Sequence, residues 1–356
     1  MPDLFDSYSL ADLGQASVMA FWAPLVAWTL IAGVAELALR LTRTHALAAV
    51  RVRSALLLTL PLALLAPSVL STLLPDAAHA VAAVRPSQLA LPEVAVVLQP
   101  ATPAPAPIGW VLVGLATLGV LGAGLVGLVR WIGALLRLRR VRASLRTAPE
   151  PVQALVTQTG HTLGLRQPVE AVECASGIAP FTFGWRRPVV AVPPTLTGEP
   201  LRLAIAHELA HIRHRDFVWN TLEQGVAAIG LAHPLVRVIA RSAVLGREQA
   251  ADAAVLAASP TDRRPYADLL LSYASLPAPS LTLGATRGSS ILHSRIAAMK
   301  RPLSPTRLRQ LVVAGRVLGL LAAVLLVGGA ATLAVPDAPV QSPEWLEGQV
   351  TDASTQ

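Results

Sequence analysis

Charge is scarce in this chain. Only 14% of its 356 residues are Asp, Glu, Lys or Arg, against about 25% in a soluble domain. At the same time 53% are hydrophobic and the mean hydropathy is +0.56. That balance excludes an ordinary soluble domain and points to a chain embedded in a bilayer. Cysteine is nearly absent as well. Cys174 alone excludes a disulfide framework and a thiolate metal cluster, so any metal must be held by histidine and carboxylate. The single thiol reads as a small buried residue. Aromatic residues are only 4%. The net charge of +8 flanks apolar runs and forms no patch with interleaved aromatics, which excludes direct nucleic-acid binding. Finally, no Lys or Arg precedes Arg40, whereas Asp3, Asp6 and Asp12 are present. A cleavable signal opens on basic residues, so none is expected here.

Four apolar runs are long enough to cross a bilayer as helices, which takes about 20 residues. They cover residues 17–39, 54–74, 108–129 and 317–335, and Pro61 and Pro67 predict kinks in the second. The connections carry the basic residues very unevenly. Residues 40–53 hold Arg40, Arg43, Arg51 and Arg53, and further clusters follow the third run and precede the fourth. Residues 1–39 and 336–356 hold none, and residues 75–107 hold only Arg85, leaving 28 of the 29 on one side or at its boundary. By the positive-inside rule that side is the cytoplasm. The expected layout is a mainly α membrane protein of the inner membrane with both termini outside. It has a short external segment 1–16, a cytoplasmic loop 40–53, an Ala/Pro-rich external loop 75–107 and a short acidic external tail 336–356. A cytoplasmic α+β domain, residues 130–310, is inserted between the third and fourth spans.

Residues 122–127 read GAGLVG, which matches a dinucleotide-binding pattern but lies inside an uncharged span with no preceding strand. Gly119, Ala123 and Gly127 read better as small residues that let another helix approach. In the inserted segment, PVQALVTQTGHTLGL reads as an amphipathic helix. VEAVECA and PVVAVP read as short strands separated by the turn-prone SGIAPFTFGWRR.

The chemistry concentrates in AIAHELAHIRHRD, residues 204–216. A helix is expected from Thr197 as N-cap, with Pro200 in its first turn. His207 and His211, four apart, project from one helix face and offer two imidazoles to a single zinc ion. Glu208 then lies beside the metal, where it can take a proton from a water that zinc has acidified to a pKa of about 7. This is the H-E-x-x-H pattern of metallopeptidases, here within a helix made apolar by Leu203, Ile205, Leu209 and Ile212. A third ligand is required. His214 is near in sequence, but a straight helix cannot easily wrap three side chains around one ion. Arg213 and Arg215 mark that end as solvated. Glu248 in GREQAADAAVLAAS is the better candidate, with Asp252 one turn later able to hold an imidazole N–H. The other reading of Glu248 and Asp252 is a solvated helix face.

HELAHIRHRD, the later REQAAD and the upstream PFTFGWRRPVVAVP together resemble the BlaR/MecR-type antirepressor membrane metallopeptidases over about residues 110–305. The resemblance implies a gluzincin fold in which His207, His211 and Glu248 bind Zn2+, Glu208 is the base and Asp252 supports the ligands. It also implies a protein or peptide substrate added by edge pairing to the strand of the PFTFG-to-VVAVP region, a cytoplasmic transcriptional repressor as that substrate, and self-cleavage as activation. His293 or Arg295 would steady the transition state. Two departures stand out. Ala251 occupies a position where the family commonly has Cys. The known sensors carry a penicillin-binding domain with a Ser-x-x-Lys nucleophile after the last span, which is not found in the 21 residues after Val335, so direct β-lactam sensing is not expected. Two rivals differ in kind: a housekeeping protease of the HtpX sort, in which the motif follows the second span, and a non-catalytic signalling scaffold in which four side chains close a structural zinc site.

Overall fold

The structure is a computed structural model that describes residues 9–41, 46–73, 108–258, 263–273 and 289–299, with isolated positions 310, 313, 314 and 317. The expected external loop 75–107 and tail 336–356 lie outside the described residues, as does the expected span 317–335 apart from Val317.

Helix α1 (Leu10–Ser17) starts in a capping box: Asp12 N donates to Ser9 Oγ, and Ser9 N donates to Asp12 Oδ2 at 2.8 Å. One π-helical turn (Val18–Trp22) leads into α2 (Ala23–Leu41), and α3 (Ala46–Leu73) runs unbroken through Pro61 and Pro67. Helix α4 (Ile108–Ser144) is 37 residues long, about 55 Å at 1.5 Å per residue. Three stretches are long and apolar enough to cross a membrane: Ala20–Leu41, Ala48–Leu65 and Ile108–Ser144. Of the third, only residues 108–129 match the apolar run. The remaining turns form a basic stalk.

Glycine allows α4 to be crossed closely, at Gly127 as expected but at Gly114 and Gly124 rather than Gly119. A Cβ on Gly114 would lie 2.2 Å from Leu10 O, and one on Gly127 would lie 1.8 Å from Ala228 O, whereas Gly119 has nothing within 4 Å. The close approaches are therefore to α1 at Gly114 and to a later helix at Gly124 and Gly127.

After α4 the chain forms β1 (Arg146–Thr147), α5 (Glu150–Thr162), β2 (Glu170–Glu173), β3 (Phe181–Phe183) and β4 (Val189–Val192). The sheet order is β1-β2-β4-β3, with β2 and β4 parallel and both outer pairings antiparallel. The stretch expected to be all turn thus contains a strand, whose F-T-F alternation is only three residues long. Strand β4 is buried on both faces, which accounts for its unbroken VVAV. Val190 and Val192 face a core shared with α5 and with four later helices, which contribute Leu203, Val255, Tyr266 and Met299 among others, while Val189 and Ala191 pack with Leu138 of the α4 stalk.

Helix α6 (Gly198–His214) follows Thr197, whose extended backbone forms the N-cap without a side-chain bond. It stops at Arg215, the one non-glycine residue with positive φ among those described (φ 58°, ψ 35°), and α7 (Asp216–Ile229) begins at the next residue. The αL residue turns the chain with no linker. Then come α8 (Pro234–Ala258), α9 (Arg263–Tyr273) and α10 (Ser289–Met299).

The α7–α8 hairpin is not separate from the apolar helices. Trp28, Leu56, Leu57 and Leu60 of α2 and α3 share a core with Val226, Val236 and Ile239. Thr29 Oγ1 lies 3.0 Å from His233 Nε2, and Ala228 meets Gly127. The segment expected as an inserted domain therefore packs one helical pair directly among the candidate spans.

Candidate metal centre

Four residues apart on α6, His207 and His211 present their imidazoles to each other with Nε2 atoms 3.2 Å apart and rings at 88°. Helix α8 crosses this face and brings Glu248, with Oε2 3.5 Å from His207 Nε2 and Oε1 3.7 Å from His211 Nε2. All three donor atoms lie within 4.8 Å of one another, and no fourth His, Cys, Asp or Glu among the described residues joins them.

The opposite ring nitrogens are committed. His211 Nδ1–H donates to Asp216 Oδ2 at 2.8 Å. Tyr266 OH donates to Asp252 Oδ1 at 2.7 Å and so accepts from His207 Nδ1–H at 2.6 Å. Both Nε2 atoms are thus the ones aimed at one point that a carboxylate also faces. In the metal-free protein a proton on His207 joins this set, and a metal ion would take that proton's place. A tetrahedral ion holding imidazole nitrogens at about 2.0–2.1 Å needs them about 3.3 Å apart, close to the separations found. The residues fit a metal ion.

Arg295 of α10 closes the far side. Its Nη1 lies 2.9 Å from Glu248 Oε2, while Nε and Nη2 donate to the two oxygens of Asp252 at 2.9 and 2.7 Å. The expected transition-state role does not match these contacts, because its nitrogens are taken by carboxylates. His293 is exposed. Asp252 is buried and Glu248 is half-buried, with its carboxylate taken up by the imidazoles and Arg295, so this face of the helix is not the solvated one of the other reading. His214 stands apart from the trio, with Nδ1 4.0 Å from Asp216 Oδ2. It is not the solvated residue expected: burial drives its pKa down to about 4, leaving it neutral.

The electrostatics follow from this crowding. Burial alone would lower His207, but hydrogen bonds to Asp252 and Glu248 outweigh it and lift the imidazole to about 10. Burial also opposes the rise of His211, which Asp216 and Glu248 nonetheless bring about. Against the burial penalty, the Arg295 guanidinium and the two imidazoles hold Glu248 well below the usual carboxylate range. Glu208, buried beside His207, is shifted upward by burial, with the neighbouring imidazoles opposing.

A cleft of about 230 Å³ opens next to His211 and is bordered by Thr182, Trp185, Arg186, Arg215 and Phe217. It runs from His211 to β3, one of the two edge strands of the sheet.

Asp216, Tyr266 and the carboxylate-binding role of Arg295 were not apparent from sequence. Asp216 had the one usable signal, the aspartate five residues after His211 at the end of HELAHIRHRD. Tyr266 lies 59 residues from the histidine it holds.

The family model described as BlaR1 peptidase M56 matches residues 13–299, which include every described residue of the cluster. Among curated proteins none matches the chain.

Proposed function

Because the chain belongs to the BlaR1 peptidase M56 family, we propose that it is a membrane zinc endopeptidase with a cytoplasm-facing active centre. Its substrate in this reading is a cytoplasmic transcriptional repressor, with self-cleavage as activation. The observation that carries the reading is the convergence of His207, His211 and Glu248 on one point with no fourth His, Cys, Asp or Glu beside them among the described residues, since catalytic zinc sites keep three protein ligands and structural ones are closed by four.

His207, His211 and Glu248 would hold the ion. When bound, zinc polarises the scissile carbonyl and acidifies a water. Glu208 accepts a proton from the attacking water and delivers it to the leaving amine as the C–N bond breaks. Its raised pKa suits a group that must both take and return that proton. Asp216, Asp252 and Tyr266 hold the imidazoles in the required tautomer. A peptide laid along β3 pairs with the free edge of the strand and runs past the cleft beside His211. The cytoplasmic orientation is supported by Arg51, one of the basic residues of segment 40–53, which donates to His214 O at 3.5 Å and stacks on Trp219. That contact joins the last turn of α6 to the basic residues that the positive-inside rule assigns to the cytoplasm.

The test is Glu208→Gln in the full chain. Zinc content is expected to stay at the wild-type level while proteolysis is lost. Comparative proteomics of cells carrying either form then names the substrate. Cleavage by the variant at the wild-type rate would sink the mechanism.

A further inference from the structure

One buried charge cluster plays no part in the mechanism above. Arg247 directly precedes Glu248 on α8 and is 4% exposed, and Glu223 on α7 is 0% exposed. Their side chains form an ion pair. The same guanidinium nitrogen, Nη2, donates to Ser54 Oγ at 3.4 Å, and Ser54 lies within the apolar stretch Ala48–Leu65 of α3. On its other side Arg247 Nε is 3.7 Å from Asp216 Oδ1, within ion-pair range but too long for a hydrogen bond. The second oxygen of Asp216 is the acceptor for His211 Nδ1–H.

One guanidinium is thus shared among a candidate membrane span, a buried glutamate and the aspartate that orients a metal ligand. The sharing is incomplete. Arg247 Nε and Nη1 and Glu223 Oε2 are buried without a hydrogen-bond partner among the described residues. A pair serving only to lock α7 to α8 would be expected to use the two-pronged geometry that satisfies both groups, since unmade bonds on a buried charge are costly. Here the guanidinium sits between acceptors on two helices, and a small movement of α3 against α8 redistributes its bonds between Ser54 and Asp216.

We propose that Arg247 is a positioning residue that couples the placement of α3 to the orientation of His211, through Asp216. The membrane part of the protein thereby acts on the metal centre. This inference rests on the metal-centre reading.

Co2+ alone is the probe, bound to the full chain in detergent, because its visible d–d absorption reports ligand geometry. Arg247→Lys keeps the charge but loses the fork and is expected to weaken Co2+ about 10- to 100-fold, the range for groups that orient metal ligands. Ser54→Ala, which touches no ligand, is expected to alter the d–d band and to shift affinity by up to about tenfold. In the double variant Ser54→Ala should add nothing to Arg247→Lys, the signature of a shared path. A wild-type spectrum and affinity in Ser54→Ala overturn the coupling, as do strictly additive effects. If Arg247→Lys does not fold, Ser54→Ala alone decides. Failure of the wild-type chain to bind Co2+, or equal binding by His207→Ala, overturns the metal-centre reading and the coupling with it.

Discussion

Tyr266→Phe isolates one hydroxyl. The ring is fully buried among Leu203, Leu269 and Leu270, and phenylalanine keeps that packing. What is lost is the acceptor for His207 Nδ1–H at 2.6 Å and the donor to Asp252 at 2.7 Å. Compensation is at hand. Asp252 retains both hydrogen bonds from Arg295, and its Oδ1 already lies 3.3 Å from His207 Nδ1, so a shift of a few tenths of an ångström makes that bond direct. The expected loss is therefore at the low end of the usual 10- to 100-fold range for such partners. A tenfold loss of zinc affinity corresponds to about 1.4 kcal/mol. Asp252→Ala has no such compensation, because it strands Arg295 and Tyr266 together and leaves Glu248 as the only acceptor for the guanidinium. It should reach about 100-fold, about 2.8 kcal/mol. The assay is competition for zinc against a chromophoric chelator, using purified full-length protein at fixed pH, with thermal unfolding as a control for the fold. A Tyr266→Phe loss equal to or greater than that of Asp252→Ala would refute the assignment of the hydroxyl as a bridge. So would an unchanged affinity in both.

Metal binding should depend steeply on pH. In the metal-free protein His207 is lifted to about 10 and His211 is also raised, so at neutral pH zinc must displace protons. Affinity is expected to rise as pH increases from 6 to 9, with proton release measurable by titration in weak buffer, and a flat profile contradicts the clustered geometry. The sign for the metal-free fold is opposite: a His raised from 6.5 to about 10 contributes stability present below pH 6.5 and lost as pH passes 10. Orientation is checked with impermeant thiol reagents after Cys174→Ser. A cysteine at Ser9 is expected to label from outside intact cells and one at Arg43 only after lysis, and the reverse pattern inverts the proposed topology.

The parts of this fold legible in sequence are those written in local periodicity. Uninterrupted apolar runs mark α2, α3 and α4, and the four-residue spacing of His207 and His211 marks the face of α6. Glu248 was reachable because REQAAD repeats that spacing on a second helix. What escaped depends on contacts made across long stretches of chain. The α7–α8 hairpin carries enough polar residues to read as part of an aqueous domain. Yet Val226, Val236 and Ile239 present one apolar face to Trp28 and Leu56, which no local pattern identifies. Gly119 and Gly127 are indistinguishable by spacing, and only the path of α7 decides that Gly127 is the one crossed. Arg295 is one of many arginines near apolar segments. Its role appears only when α10 places it against Asp252, 43 residues away in the chain.

The two ligand-bearing helices show a matched pattern that explains how close they come. On α6, His207, Ala210 and His211 occupy one face, and on α8, Glu248, Ala251 and Asp252 repeat the same i, i+3, i+4 spacing. Ala210 and Ala251 are both fully buried and form a small cluster with Ala254. The alanines are the point where the helices meet, and the polar groups flank it. A glutamate reaches only a few ångströms beyond its backbone, so the Ala–Ala contact sets whether Glu248 can approach both imidazoles at once. Enlarging that contact should fail for a mechanical reason. Ala251→Leu adds three carbons where no space exists, at an overpacking cost of about 1–3 kcal/mol, and forces the helices apart along the line joining Glu248 to the histidines. Metal affinity should fall more than stability does, whereas Ala251→Cys, close in volume, should bind zinc as the wild type does. The measurement is zinc competition and thermal unfolding on the same samples. If Ala251→Leu lowers the unfolding temperature but leaves affinity intact, the spacing of the centre is not set by the alanine contact.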